Sequence, residues 1–253
     1  MIDREFEMHA LPLLQPLSAS SRADLLASAV SHAVPAGTVL FEQGDMPSFQ
    51  HVVLSGSVQL FGRSSIGREV LIEIVEPPDL VIPAAVVTAS PYLMRARVPE
   101  SARLVLIHAA AFRRAVEREP LLAHAVIGSL AGQFRRLVRQ IKNLKLRTAS
   151  ERVGCYLLAL SQRQGTPDRA VLPYEKNLIA SELGMTRESF SRALSALQAE
   201  GITVKGDGIE IWNPRRLAAA CGPDPLIDGL GDQPPEQGSL FAPSHRKPGA
   251  RQP

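Results

Sequence analysis

The feature that most constrains the fold is a stripe of apolar residues in the middle of the chain, recurring at alternating steps of four and three. Its members are Ala123, Ile127, Leu130, Phe134, Leu137, Ile141 and Leu144. A seam at this spacing over about three heptads is typical of a helix that packs along a second helix. The basic residues between positions 135 and 145 fall outside the stripe and are expected to stay in water.

This stripe predicts a helix roughly 35–40 Å long that pairs with its own copy. The expected dimer contacts are Ile127, Leu130, Phe134, Leu137, Ile141 and Leu144. A helix buried within the core of a single chain is the alternative. The narrow width of the stripe favours self-pairing, because core helices of globular proteins present a wider apolar face.

The region before this helix has the pattern of a β-sheet domain. From Val34 to about Ile107, short runs rich in β-branched residues are separated by glycines. These runs are "VPAGTVLFEQGD", "HVVLSGSVQLFG", "GREVLIEIVEPPD" and "SARLVLIHA". Strands that recur roughly every 8 to 12 residues with turns between them indicate an antiparallel sandwich or barrel. Residues 79–93 interrupt the pattern, with a short helix expected at 84–89. Residues 12–33 predict a short amphipathic helix or helix pair.

The region after the long helix predicts a winged helix-turn-helix. A short apolar helix stops at Gly184, Thr186 is the expected N-cap of a second helix, and Gly201 ends it. The apolar positions of the two helices are Leu178, Ile179, Leu183, Phe190, Ala193, Leu194 and Leu197. Small residues at Ala180 and Gly184 allow the helices to approach each other. The segment "ITVKGDGIEIW" then predicts a β-hairpin around Gly-Asp-Gly.

Four polar residues of the second helix lie opposite its apolar face and are the candidate base readers. They are Arg187, Glu188, Ser191 and Arg192. Arginine can donate to guanine O6 and N7, and a carboxylate can accept from the cytosine amino group. Lys176 and Thr186 are the candidate phosphate contacts. Taken by itself the polar set is equally typical of a solvated helix face, but its place in a helix-turn-helix favours base reading.

Composition excludes several classes of protein. The 253 residues carry 28 basic and 25 acidic side chains, so net charge alone is weak support for a nucleic-acid partner. No apolar run reaches the roughly 20 residues that span a bilayer, and the N-terminus lacks the pattern of a secretory signal. Two cysteines are too few for a disulfide framework, and Cys155 is expected to be a buried packing residue. We expect no membrane association and a cytoplasmic location.

Together these patterns predict an α+β fold with five segments. They are an N-terminal helical segment (1–33), an antiparallel β-roll (34–115), the dimerisation helix (116–147), a winged helix-turn-helix domain (148–221) and a disordered tail rich in proline and glycine (222–253). The tail is aperiodic and poor in large apolar residues, which is the composition of a segment that cannot bury a core.

The order of these motifs resembles the Crp/Fnr superfamily of bacterial transcription regulators over roughly residues 10 to 220. The resemblance rests on "PAGTVLFEQGD" and "VVLSGSVQLF", the long helix, and the segment Glu188-Ser189-Phe190-Ser191-Arg192. It implies a jelly roll of the cyclic-nucleotide-binding type and a homodimer. The implied partners are an inverted repeat in double-stranded DNA and RNA polymerase.

The resemblance also implies which bases are read. Glu188 and Arg192 match the glutamate and arginine that read a G·C step in each half-site. Ser191 resembles the Fnr-like branch and implies a TTGAT-like half-site. Arg187 stands where the Crp-like branch has arginine, so a TGTGA-like outer base stays open.

The expected signal is not defined by the sequence. The stretch "PPDLVIPAAVVTASPYLMRARV" places Asp79 near a family glycine and lacks the Arg-Ser/Thr-Ala motif of cyclic-nucleotide binders, so a cyclic nucleotide would leave its phosphate unpaired. An Fnr-type iron–sulfur cluster requires N-terminal cysteines, and residues 1–33 contain none. Haem bound by a histidine is an alternative, with candidates His9, His32, His51, His108 and His124. A regulator without a cofactor is the other.

Two other classes of function are alternatives to a DNA-binding regulator. An enzyme is not expected, because the chain shows no metal-ligand spacing, nucleophile elbow or phosphate-binding glycine loop. A ligand-binding module without specific DNA recognition is the second alternative, and it predicts no preference for an inverted repeat over random DNA.

Overall fold

The computed structural model describes Leu14, residues 17–67 and residues 69–228. The first part of the chain is rich in strands and the second in helices. The strands are β1 (Ala29–Val34), β2 (Val39–Phe41), β3 (Phe49–Ser55), β4 (Val58–Arg63), β5 (Glu69–Val75), β6 (Leu80–Val81), β7 (Arg95–Arg97), β8 (Ala102–His108), β9 (Arg169–Val171), β10 (Ile202–Lys205) and β11 (Gly208–Ile211). The helices are α1 (Ala19–Ala27), α2 (Pro83–Thr88), α3 (Ala109–Arg118), α4 (Pro120–Leu146), α5 (Ala149–Arg163), α6 (Lys176–Glu182), α7 (Arg187–Leu197), α8 (Pro214–Cys221) and α9 (Pro225–Asp228).

The N-terminal domain consists of two four-stranded antiparallel sheets, as predicted for this region. One has the order β1-β8-β3-β6 and the other β2-β7-β4-β5. Adjacent residues of a strand point to opposite faces, so Val53 faces the space between the sheets while Val52 packs against the helices. The domain therefore has two apolar layers, and the second one holds α3 and the start of α4 through Phe112 and Leu122.

The long helix α4 begins later than the predicted residue 116. Residue Glu119 is extended between α3 and α4, and Pro120 stands at the first helical position. A residue before proline is pushed out of the helical region, and proline is tolerated in the first turn, where no intrahelical partner for its nitrogen is needed. Residues 116–118 therefore end α3, and α4 has 27 residues. None of the helices in the described ranges is long and apolar enough to cross a membrane.

The C-terminal domain has the winged helix-turn-helix arrangement that the sequence predicted. Helix α5 begins with a capping box, in which the side chain of Thr148 accepts from the Glu151 amide and the side chain of Glu151 accepts from the Thr148 amide. Helices α6 and α7 pack on α5 through a core centred on Ile179 and Phe190. The hairpin β10–β11 follows, and Gly206 with Asp207 forms its turn. The sequence did not predict β9, a three-residue strand that pairs with β11.

Two boundaries differ from the sequence-based expectation. Residues 29–33, assigned to the N-terminal helical segment, belong to an edge strand that continues to Val34 and in which Val30 pairs with Leu106. Its partner strand β8 begins only at Ala102, so a local pattern cannot reveal the pairing. The disordered tail was predicted to begin at residue 222, but residues 222–228 contain α9, which contacts α4 and α5. Residues 229–253 lie outside the described residues.

Candidate nucleic-acid interface

Helix α7 separates an apolar face from a polar face. Phe190, Ala193, Leu194 and Leu197 are buried, whereas the four predicted base readers are exposed: Arg187, Glu188, Ser191 and Arg192. Thr186 caps the helix as predicted, and its hydroxyl accepts from the Ser189 amide at 3.2 Å. The first turn of α7 is thus fixed at its N-terminus and presents charged side chains outward, as a major-groove reading helix requires.

A short hydrogen-bond chain runs along the exposed side of this first turn. The hydroxyl of Ser189 lies 3.2 Å from Thr186 Oγ1, and Arg192 Nη2 donates to Ser189 Oγ at 3.1 Å. The chain holds the guanidinium of Arg192 over the helix start. Sequence reasoning did not select Ser189. The available signal was its spacing, three residues after the cap and three before the arginine, which places all three on one helix face.

Glu188 is held as a carboxylate at the helix start. Its own backbone amide and then the Thr186 hydroxyl donate to it, and these bonds lower the pKa of Glu188. The positive end of the helix dipole favours the same charge state. An ionised Glu188 can accept a hydrogen bond from a base amino group and gives no donor to a phosphate.

Lys176, predicted as a phosphate contact, is engaged with the wing. Its Nζ donates to the carbonyl of Gly206 in the β10–β11 turn at 3.0 Å. Lys205, at the end of β10, pairs with Glu210 across the hairpin at 2.8 Å. The Lys176 bond ties the first turn of α6 to the wing tip, so this residue also positions the wing relative to the reading helix.

The stripe on α4 is solvent-exposed over most of its length in the single chain. Ile127 is 61% and Phe134 67% exposed, and the exposed set continues with Leu137, Ile141 and Leu144. Leu130 differs, because it packs against the helix-covered core of its own β-roll. The basic residues between 135 and 145 were expected in water, but Arg136 is half buried against the β-roll.

The DNA-binding domain also contacts the β-roll. Ser181 Oγ on α6 accepts from the Leu71 amide at 3.0 Å, on β5, the last strand of its sheet. Gly184 adopts φ +64°, and a Cβ there would collide with Leu144 of α4. The contacted atom is the end of a flexible, exposed leucine side chain that can shift, so it is the positive φ of the turn that favours glycine here. A cleft between the domains is lined by Arg63 on one side and the first turn of α7 on the other.

An ionic cluster joins the β-roll to α4. Arg136 Nε donates to Glu73 at 2.7 Å and Nη2 donates to Asp79 at 3.0 Å, while Ser129 donates to the other Asp79 oxygen at 2.7 Å. Burial raises the pKa of Glu73, and Arg136 opposes that rise. Asp79, which lies in the stretch where cyclic-nucleotide binders carry their binding motif, is thus bound to the long helix α4.

The described histidines do not converge on one site. His32, His108 and His124 are exposed, and His51 is buried between the sheets, 5.6 Å from the Phe41 ring. Phe41 in turn stacks on Tyr92 at a centroid distance of 3.6 Å. His9 lies outside the described residues. Within the ranges that the structure covers, no three histidine, cysteine or carboxylate side chains are grouped as metal ligands.

The two cysteines are buried against each other's segments as unpaired thiols. Cys155 Sγ donates to the Cys221 carbonyl at 3.4 Å. Burial raises the pKa of Cys155 to about 12 and that of Cys221 to about 11. Both remain protonated at neutral pH, and a protonated buried thiol is unreactive. Cys155 is the packing residue that the sequence indicated.

Comparison with known proteins agrees with this division of the chain. The cyclic nucleotide-binding domain family matches residues 31–119, and the Crp-like helix-turn-helix domain family matches residues 151–220. The CRP-like cAMP-activated global transcriptional regulator of Mycobacterium tuberculosis is 28% identical over 189 residues, which cover 73% of this chain and 84% of that protein. The nitrogen fixation regulation protein FixK of Rhizobium meliloti is 27% identical over 188 residues, with the same two coverages.

Among solved structures, FixK2 from Bradyrhizobium japonicum matches with a TM-score of 0.61 at 22% identity, covering 76% of this chain and 96% of that one. At this identity the likeness shows the fold. The two domain families match one after the other along the chain, and the relatives match across most of it. The chain therefore belongs to the Crp/Fnr superfamily of transcription regulators.

Proposed function

We propose that the protein is a homodimer that binds an inverted repeat in double-stranded DNA, with TTGAT-like half-sites. The observation that carries this proposal is the polar face of α7, on which Arg187, Glu188, Ser191 and Arg192 are exposed above a fully buried apolar face. The exposed stripe on α4 supports self-association, because a contiguous row of exposed apolar side chains marks a surface that is buried by a partner.

The geometry of the dimer sets the spacing of the two reading helices. Pairing of two α4 helices places one DNA-binding domain on each side of the pair. Two copies of α7 then enter successive major grooves, about 34 Å apart. Thr186 and Lys176 contribute phosphate contacts in this proposal. The Lys176 ammonium has three donors, so it can bind a phosphate oxygen while one of them stays on the Gly206 carbonyl.

We propose that the β-roll regulates DNA binding through its contacts with α4 and α6. Asp79, Glu73 and Arg136 join it to α4, and Leu71 with Ser181 joins it to α6. A ligand of the β-roll shifts the DNA-binding domain only to the extent that it binds the two arrangements with different affinity. RNA polymerase is the proposed further partner of the DNA-bound dimer.

A binding titration tests the reading residues. Labelled duplexes carry an inverted TTGAT repeat, the same repeat with the G·C step replaced, or scrambled sequence, all at fixed salt. Glu188→Ala and Arg192→Ala are expected to cost about 1–3 kcal/mol on the intact repeat and little on the altered one. Ser195→Ala is the matched control on the same helix.

Several results would reject the proposal. Equal affinity of the wild type for the repeat and for scrambled DNA would leave a ligand-binding module as the better function. Full affinity of both α7 variants would remove these residues from the reading set. A duplex with a TGTGA repeat, included in the same series, decides between the two half-site types that Arg187 and Ser191 imply.

A haem-based gas sensor is the second candidate. The described histidines give it no common site, and the absorption spectrum of the protein purified with added haem tests it directly. A Soret band that His51→Leu abolishes would establish haem at that residue.

A further inference from the structure

The segment 222–228 crosses the junction between the long helix and the DNA-binding domain. Asp228 accepts two parallel hydrogen bonds from Arg147, Nη1 to Oδ1 and Nη2 to Oδ2, each 2.7 Å long. The two side chains are 7% and 5% exposed. A forked arginine–carboxylate pair fixes orientation as well as distance, so the contact resists bending at this point.

Arg147 lies at the break between helices α4 and α5. It follows α4 with an extended backbone, φ −124° and ψ 142°, and Thr148 then caps α5. Its Nη1 also donates to Asn143 in the last turns of α4, and its carbonyl accepts from Arg152 of α5. One residue thus connects both helices to the C-terminal segment.

The C-terminal segment is itself fixed by further contacts. Asp228 Oδ2 accepts from the Asp224 amide at 2.8 Å, and Asp224 Oδ1 accepts from the Leu226 amide at 2.9 Å. Lys142 lies 3.6 Å from Asp224 and gives a second attachment to α4. The segment lies beyond residue 220, where the match to the Crp-like helix-turn-helix domain family ends.

We propose that Asp228 is a positioning residue for DNA recognition, which acts through Arg147 to fix the angle between the long helix and the DNA-binding domain. The inference rests on the proposed function. In a dimer, that angle sets the separation of the two reading helices. A joint that bends freely reduces the effective concentration of the second helix once the first is bound. Asp228 therefore controls the spacing of half-sites and leaves the reading of bases unchanged.

The test measures the affinity of the full-length protein for inverted repeats whose spacers differ by single base pairs, and for a duplex with one half-site. The wild type is expected to prefer one spacer by about tenfold over its neighbours. In Asp228→Asn this preference falls to about twofold while affinity for one half-site stays within about twofold. Glu210→Gln, which removes a carboxylate from an exposed pair, is the control and keeps the wild-type preference.

A second variant distinguishes loss of the contact from misfolding. Asp228→Asn leaves a buried arginine without its carboxylate partner, which is costly. A chain that ends at Cys221 lacks the whole segment, so water can reach Arg147. Both variants are expected to lose the spacing preference. The inference is overturned when both keep it, or when single-half-site binding falls as much as binding to the repeat, since Asp228 would then act on folding or base reading.

Tryptic cleavage separates failure of this inference from failure of the proposed function. Trypsin must take an arginine side chain into its acidic pocket, and Arg147 is held by Asp228. Cleavage after Arg147 is expected to be at least about tenfold faster in Asp228→Asn than in wild type or Glu210→Gln, because it follows the opened population. An unchanged rate would overturn the inference, whether or not the wild type binds an inverted repeat.

Discussion

Arg136 Nη2 lies 3.0 Å from Asp79 Oδ2, which joins the long helix to the residue just before β6. The same guanidinium reaches Glu73 on β5 at 2.7 Å. One arginine of the long helix therefore holds two carboxylates of the β-roll. The β-roll is thus attached to the same helix that carries the exposed apolar stripe and is proposed to pair.

Replacing Arg136 with glutamine is expected to reduce the free energy of unfolding by about 1–3 kcal/mol, since two partly buried carboxylates lose their partner. Asp79→Asn is expected to have a smaller effect, because Glu73 keeps its bond. Urea unfolding at one fixed protein concentration measures both. The double variant should cost less than the two single effects combined, and strict additivity would show that the two residues are not coupled.

Phe134→Asp is expected to convert the dimer to a monomer. Phe134 is 67% exposed in the single chain, so the substitution disturbs few internal contacts, but in the proposed pair it would bury two charges face to face. Light scattering after size exclusion measures the mass, with 27.4 kDa for one chain. Leu93→Asp, at another exposed apolar position, is the control and should remain dimeric. A dimeric Phe134→Asp would place the interface elsewhere.

The sequence predicted features that are encoded locally. The alternating strands, the cap at Thr186, the end of the preceding helix before Gly184 and the Gly206-Asp207 turn each depend on residues a few positions apart. Periodicity and turn chemistry report such features directly. The exposed and buried faces of α7 follow from the same periodicity, which is why the polar set was placed correctly on the surface.

Contacts between distant parts of the chain were missed. Arg136 and Asp79 are 57 residues apart, and Arg147 and Asp228 are 81 apart. A proline- and glycine-rich composition predicts a tail, yet its start is held by the Arg147–Asp228 pair and by the contacts of Asp224. Edge strand β1 likewise depends on its partner β8, because an exposed strand has little pattern of its own.

Ser189→Ala is expected to weaken discrimination by about threefold at the base pair that Arg192 is proposed to read, since the guanidinium loses a bond that limits its rotamers. Affinity for a repeat altered at that base pair should change little. Titrations with both duplexes measure the effect, and Ser195→Ala, whose hydroxyl bonds the Ser191 carbonyl, is the matched control. Adding Ser189→Ala to Arg192→Ala should cost nothing more. A further loss would mean that Ser189 contacts DNA directly.

His51 is expected to make the β-roll sensitive to acid. The imidazole is 6% exposed, its Nδ1 has no hydrogen-bond partner among the described residues, and burial lowers the pKa of His51 to about 4. Since the unfolded chain takes up a proton near pH 6.5, it binds more protons than the folded chain between about pH 6.5 and pH 4. Stability therefore falls through this window as pH decreases, by about 3 kcal/mol in all.

His51→Leu removes this proton uptake and the unpaired nitrogen, so the variant should equal or exceed the wild type in stability at pH 7 and exceed it clearly at pH 4.5. The buried carboxyls Glu73 and Glu182, whose pKa values are raised by burial, also make stability depend on pH. The difference between variant and wild type isolates the histidine, because both proteins contain these carboxyls. Thermal unfolding from pH 4.5 to pH 7.5 measures it, with the exposed His108→Gln as control. Parallel curves for His51→Leu and wild type would show that His51 is protonated in the folded protein.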